Sequence, residues 1–210
     1  MAITKTYLNN DLGEIVSFLT STGLFGSVTE SDNTITCKDG SNITLMTIER
    51  EDDISTDYTW TLTAYIAGNN SVSRTYTMMK FAYGYNCTNG AILSFTSGPS
   101  AFLSVILSKT NRNSVGIVLP KSSSYKTTFY SVAYTDSAPI SEFVVSPSTA
   151  EQTVLSPFIT NAPTGVSSYM PNAYYIPFGE YVGRGYARFN MGGKEYVSDG
   201  YFAISDTAVN

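Results

Sequence analysis

Tyr58-Thr59-Trp60-Thr61-Leu62-Thr63-Ala64-Tyr65-Ile66 sets bulky or apolar residues against threonines and a tyrosine for nine positions. A period of two is the signature of a β-strand with one buried face, since successive side chains leave a strand on opposite sides. β-branched and aromatic residues suit that pleated, half-buried surface. Working backwards, residues 34–38 and 41–48 predict a hairpin closed at Asp39-Gly40 by a tight primed turn. Working forwards, Ala67-Gly68-Asn69-Asn70 predicts a turn, and residues 72–83 predict a second long strand. Runs at 91–96, 102–109, 115–119 and 126–135 read as further strands. Ser97-Gly98-Pro99, Asn111-Arg112-Asn113 and Lys121-Ser122-Ser123-Ser124 separate them with turn chemistry. At the C-terminus, residues 184–191, Gly192-Gly193 and residues 194–198 predict another hairpin, and Asp199-Gly200 turns the chain into residues 201–205. Short strands at this spacing predict a mainly β fold, an antiparallel β-sandwich or barrel-like domain.

Two segments depart from this pattern. In residues 9–25, Leu12, Ile15, Val16 and Leu19 recur at helical spacing. Asn9, Asn10 and Asp11 offer N-caps, Glu14 sits where the helix dipole favours a negative charge, and Gly23 provides a stop. A partner-docking role is one use for this short helix; covering a sheet edge or face is the expected one. Residues 137–177 hold six of the eight prolines, and residues 152–179 carry no charge. A loop of this length inside a compact domain is unusual. Phe158, Ile159, Tyr169, Met170, Tyr174, Tyr175 and Ile176 make it too apolar for solvated disorder. It is expected to be an extended arm lying on its own sheet or on a neighbouring subunit, and those seven residues are the candidate interface. The organisation expected is therefore a helix plus antiparallel β domain over 1–136, the arm over 137–177, and hairpin strands over 178–210 that rejoin the β domain.

Composition excludes several kinds of chemistry. The chain has 210 residues, no histidine, a net charge of −5 and a pI of about 4.6. Without histidine there is no Ser-His-Asp or Cys-His mechanism and no His-rich zinc site. An acidic chain is a poor grip for nucleic acid phosphates. The net charge lies in the first 80 residues, which hold 5 basic and 10 acidic residues. Ser and Thr make up a quarter of the chain. Two cysteines, Cys37 and Cys87, are too few for a disulfide framework and are expected to be buried or half-buried thiols, the alternative being a single bridge with Cα atoms within about 7 Å. The N-terminus lacks the basic stretch and apolar run of a secretory signal. Residues 81–108 are charge-free and long enough to span a bilayer, but their asparagines, glycines and hydroxyl residues predict soluble strands rather than membrane insertion.

The remaining motifs are weak. Glu49, Glu51, Asp52, Asp53 and Asp57 form the densest set of hard ligands, but their spacing is not that of an EF-hand and Arg50 interrupts it, so a solvated acidic turn is expected. Ser123-Ser124-Tyr125-Lys126 fits S-x-x-K without the helix start that the motif needs. Gly183-Arg184-Gly185 lacks the context of a dinucleotide site. No carboxylate pair stands in a glycosidase signature, and Glu142, Glu151, Glu180, Glu195 and Asp199 are scattered singly. Tyr174, Tyr175, Tyr181, Tyr186, Tyr196 and Tyr201 crowd the end of the chain. Cross-strand pairing, subunit contacts and sugar stacking all use such tyrosines.

The composition, acidic, poor in His and Cys and rich in Ser, Thr and Tyr, resembles that of small virion structural proteins of tailed bacteriophages. The stretch from Pro177 to Asp206, PFGEYVGRGYARFNMGGKEYVSDGYFAISD, is similar in style to the C-terminal ends of tail and baseplate proteins in phages of gut Gram-positive bacteria. Tyr7-Leu8-Asn9-Asn10 before a short helix, with Gly23-Leu24-Phe25-Gly26-Ser27-Val28 after it, has the same character. The resemblance implies a non-enzymatic tail, baseplate or collar component located in the virion and made in the host cytoplasm. Its partners would be copies of itself and other virion proteins, with no cofactor, no metal and no nucleic acid. The alternative expectation is a β-sandwich module that binds a carbohydrate or a cell-surface receptor.

Overall fold

The computed structural model describes residues 5–52, 57–66, 70–98, 101–109, 115–120, 128–133, 141–144, 156–157, 173–175, 187–191, 193–198 and 202–206. They form one helix and seventeen strands: β1 (Lys5–Tyr7), α1 (Leu12–Ser21), β2 (Ser27–Ser31), β3 (Thr34–Lys38), β4 (Thr44–Asp52), β5 (Tyr58–Ile66), β6 (Asn70–Met79), β7 (Phe81–Cys87), β8 (Gly90–Gly98), β9 (Ala101–Lys109), β10 (Val115–Pro120), β11 (Thr128–Ala133), β12 (Ser141–Val144), β13 (Ser156–Pro157), β14 (Ala173–Tyr175), β15 (Ala187–Met191), β16 (Lys194–Ser198) and β17 (Phe202–Ser205). All pairings are antiparallel. The fold is mainly β and sandwich-like, and the described strands close no barrel.

Three sheets result. One has five strands in the order β2-β3-β4-β5-β6, another seven in the order β1-β7-β8-β9-β10-β11-β12, and the third five in the order β13-β14-β17-β16-β15. Alternation works as expected in the first sheet: Ile35, Cys37, Met46, Ile48, Trp60, Leu62 and Ala64 are fully buried. They meet the seven-stranded sheet, where the Trp60 and Phe95 rings lie 5.2 Å apart at 43°. Phe95 shares its face with Leu93 and Ala91 of β8, and with Leu107 and Ile117 of the next strands, all buried.

Helix α1 covers the same face of the seven-stranded sheet. Asn9 and Asn10 take positive φ angles of 45° and 53°, a conformation asparagine tolerates, and turn β1 into the helix. Asp11 is the N-cap, its Oδ1 accepting from Glu14 N at 2.9 Å. Leu12, Ile15, Phe18 and Leu19 are buried. Phe18 seats against Gly84, where an added Cβ would lie 2.4–2.6 Å from the ring. Only glycine permits that approach. The third sheet joins the same core through Val197 and Ile204. It is also pinned to the β7–β8 turn: Asn89 Nδ2 donates to Ser205 O at 2.6 Å, and Thr88 N and Oγ1 donate to Asp206 Oδ1 at 2.9 and 2.8 Å.

Several expectations need correcting. The Asp39-Gly40 turn is not a two-residue primed turn: β4 begins at Thr44, and Asp39 Oδ1 organises the loop by accepting from Ser41 N and Ile43 N. The strand expected over 72–83 is two strands in different sheets. Its alternation fails at Met78-Met79-Lys80, and there the chain crosses from β6 to β7. The helix expected within 9–25 runs over Leu12–Ser21, with Asp11 as its N-cap and Gly23 at φ 64° just beyond its end, as the cap and stop residues imply. Strands β12, β13 and β14 fall within the expected arm, β12 pairing with β11; the rest of residues 137–177 lies outside the described residues.

Candidate functional site

Of the candidate interface, Phe158, Ile159, Tyr169, Met170 and Ile176 lie outside the described residues. Tyr174 and Tyr175 belong to β14. Their backbones pair with Ala203 and Phe202 on one side and with Pro157 and Ser156 on the other. That strand is internal to its sheet. Tyr196 is buried, so it is no surface contact, and Tyr181, Tyr186 and Tyr201 lie outside the described residues.

The described members of the acidic set do not converge, and Asp53 lies outside the described residues. Glu49 and Glu51 sit on β4, Arg50 Nε approaches Asp52 Oδ1 at 3.0 Å, and Asp57 lies 3.8 Å from Lys80 Nζ. Among the described residues, no group of His, Cys, Asp or Glu is placed to hold a metal ion. Arg50 instead acts as a clamp. Its Nη1 donates to Asn10 O at 3.1 Å and its guanidinium lies 4.9 Å from the Tyr58 ring centre, tying the five-stranded sheet to the β1–α1 turn. Cys37 and Cys87 form no disulfide; the first is buried, and the second is half-buried with its Sγ donating to Gly90 O at 3.2 Å. Burial pushes the Cys37 thiol up to about 12, which keeps it protonated and inert.

Two surfaces remain. The first is the outer face of the five-stranded sheet. Ser31, Thr34, Glu49, Thr61 and Thr75 form one row across it, and Thr29, Thr36, Thr47, Thr63 and Ser73 form the next. The hydroxyls pair across strands: Thr61 with Thr75 at 3.0 Å, Thr63 with Ser73 at 2.7 Å, and Thr47 with the Tyr65 hydroxyl at 3.3 Å. Glu49 is the one charge in those two rows. Among the described residues this sheet ends at β2 on one side and at β6 on the other.

The second surface is an open groove of about 640 Å³ along β1 and α1, lined by Tyr7, Asp11, Glu14, Ser17 and Phe18 among others. Tyr7 is 44% exposed and its ring packs 5.4 Å from that of Tyr83 at 55°. Burial raises the Tyr83 hydroxyl above its ordinary range, and Tyr7 beside it adds to the shift. An exposed aromatic beside carboxylates and hydroxyls is able to stack on a sugar ring and bond to its hydroxyls. The sequence alone does not mark this groove. Its signal was the pairing of Tyr7 with the exposed positions of α1, which becomes visible only once β1 is known to lie beside the helix.

No family model matches the chain, and no curated protein or solved structure matches it. Among the described residues no helix is long and apolar enough to cross a membrane.

Proposed function

We propose that this chain is a non-enzymatic structural subunit that acts by assembly with copies of itself and with neighbouring proteins of a bacteriophage particle, as a tail, baseplate or collar component. One observation carries the assembly part: the five-stranded sheet presents a broad hydroxyl-covered face, and both of its end strands are unpaired among the described residues. Open strand ends are templates for pairing with another chain; β6 is bulged only opposite Tyr58–Trp60, beyond its Ser71–Thr75 segment, and helix α1 lies near β2. The phage assignment rests on the resemblance in composition and in the C-terminal stretch. Light scattering of the purified protein over a concentration series tests assembly. A trimer, hexamer or larger ring is the expected result, and a monomer at every concentration overturns self-assembly.

The Tyr7–Glu14 groove favours a second reading, a module that binds a carbohydrate on a cell surface. In that case the monomer binds a glycan array and Tyr7→Ala abolishes the signal. A blank array removes this reading.

A further inference from the structure

The two end strands of the five-stranded sheet are related in sequence and in position. β2 reads Ser27-Val28-Thr29-Glu30-Ser31, and the matching part of β6 reads Ser71-Val72-Ser73-Arg74-Thr75. Hydroxyl stands against hydroxyl and valine against valine at four positions, and the fifth sets glutamate against arginine. The register of the intervening strands places these segments at the same level. Glu30 is opposite Ile35, Ile35 opposite Ile48, Ile48 opposite Leu62, and Leu62 opposite Arg74. Val28 leads in the same way through Cys37, Met46 and Ala64 to Val72, and Thr29 through Thr36, Thr47 and Thr63 to Ser73. Glu30 is the single charge of β2 and Arg74 the single charge of β6.

We propose that copies of this chain join head to tail by pairing β2 of one copy with β6 of the next, Ser27–Ser31 lying in register against Ser71–Thr75. The proposal rests on the assembly reading above and names its contact. Successive strands of the sheet are antiparallel, so β2 and β6 run in the same direction and the join is a parallel pairing. A neighbour set beside the sheet without sliding along the strands continues the four rows that run unbroken from Val28, Thr29, Glu30 and Ser31: the valine row meets a valine, the hydroxyl rows meet hydroxyls, and Glu30 meets Arg74, while the row of Ser27 is interrupted by the bulge at Cys37-Lys38. Cross-strand pairs of these kinds stabilise, and like charges directly opposite destabilise. A two-fold join of β2 to β2 or of β6 to β6 brings each strand to a partner whose only charge has the same sign. Charge therefore selects the heterologous contact, which generates a ring when the rotation closes and a filament when it does not. Five residues span only ~17 Å of strand, so each joint is small and association depends on concentration.

Sedimentation velocity and light scattering of the full chain test this with three variants: Glu30→Arg, Arg74→Glu, and both substitutions on one chain. Circular dichroism of each confirms the fold. The expected result is that either single substitution raises the concentration for half-association at least tenfold. The double variant associates as the native chain does. Mixing the two single variants in equal amounts also restores association in filaments and in even-membered rings, where the variants alternate and every joint again sets an acidic against a basic residue. Native-like association of both single variants overturns the join while leaving assembly through another surface intact. Failure of both the double variant and the mixture to recover also overturns it. A native chain that is monomeric throughout removes the assembly reading and the join together.

Discussion

Strands β8 and β2 are both antiparallel strands of one molecule, and they are specified in opposite ways. In β8 every residue from Ala91 to Phe95 is buried. Ala91, Leu93 and Phe95 face helix α1 and the five-stranded sheet, while Ile92 and Ser94 are buried on the other side, beside Tyr85 and Tyr83 in register. In β2 only Val28 is even half-buried. Burial of apolar area drives the first arrangement and contributes almost nothing to the second. The strand that the core does not constrain is therefore the one whose residues are available for contact with another chain.

The largest effect expected is in the core. Trp60→Ala removes a fully buried ring that packs on Phe95, and should destabilise by about 3–5 kcal/mol in urea unfolding. Val28→Ala on β2 should cost less than about 1 kcal/mol. Trp60→Phe sharpens the contrast. Trp60 Nε1 is buried with no acceptor among the described residues, so phenylalanine forfeits volume but no hydrogen bond, and the expected cost of about 1–3 kcal/mol stays below that of Trp60→Ala. Equal costs for Trp60→Ala and Val28→Ala would erase the distinction between the two strands.

Next comes the contact between helix and sheet. Gly84→Ala sets a methyl group against the Phe18 ring and should cost about 1–3 kcal/mol. Combined with Phe18→Ala, the same change should cost less than the sum of the two single substitutions, since the clash is gone. Strict additivity in this double-mutant cycle would mean that the ring does not seat on Gly84.

A smaller effect depends on pH. The Cys37 thiol is raised by burial from 9.0 in the unfolded chain to about 12 in the folded protein. Between those values the unfolded state has already released a proton that the folded state keeps. The stability held by the neutral thiol is complete below pH 9 and declines as the pH rises toward 12. From pH 9 to pH 10 the loss is about 1 kcal/mol, and it should be absent from Cys37→Ala, whose curve provides the comparison. In the folded protein at pH 8, Cys87 should react with a thiol reagent and Cys37 should not.

How much of this was legible beforehand follows the same division between core and edge. The alternation of Tyr58 to Ile66 announced β5, and Leu12, Ile15 and Leu19 announced α1, because burial writes a period into the sequence. Strands β1 and β2 left no such mark. Lys5-Thr6-Tyr7 is too short, and Ser27–Ser31 has one apolar residue, so neither shows a period. At Lys80 the alternation breaks but β-propensity continues, and neither signal says to which sheet each strand belongs. Nor did the candidate surfaces stand out. The groove depends on β1 lying beside α1, and the match of 27–31 with 71–75 gains meaning only when both segments are found at the ends of one sheet and at one level.

The smallest effect expected is on the hydroxyl face. Thr63→Val replaces a side chain that exchanges a 2.7 Å hydrogen bond with Ser73 on the outer surface. Water competes for that bond and valine has equal or better strand propensity, so stability should change by no more than about 0.5 kcal/mol. If the threonine rows were there to hold the sheet together, replacing Thr61 and Thr63 together would cost several times as much. If instead they keep a face with few charges wetted, the same double change should leave the urea midpoint in place while lowering the concentration at which the protein precipitates. The two measurements separate a stabilising face from a solvated one. A solvated face is what a sheet that joins others through its end strands requires, because it leaves sideways pairing open and discourages stacking face to face.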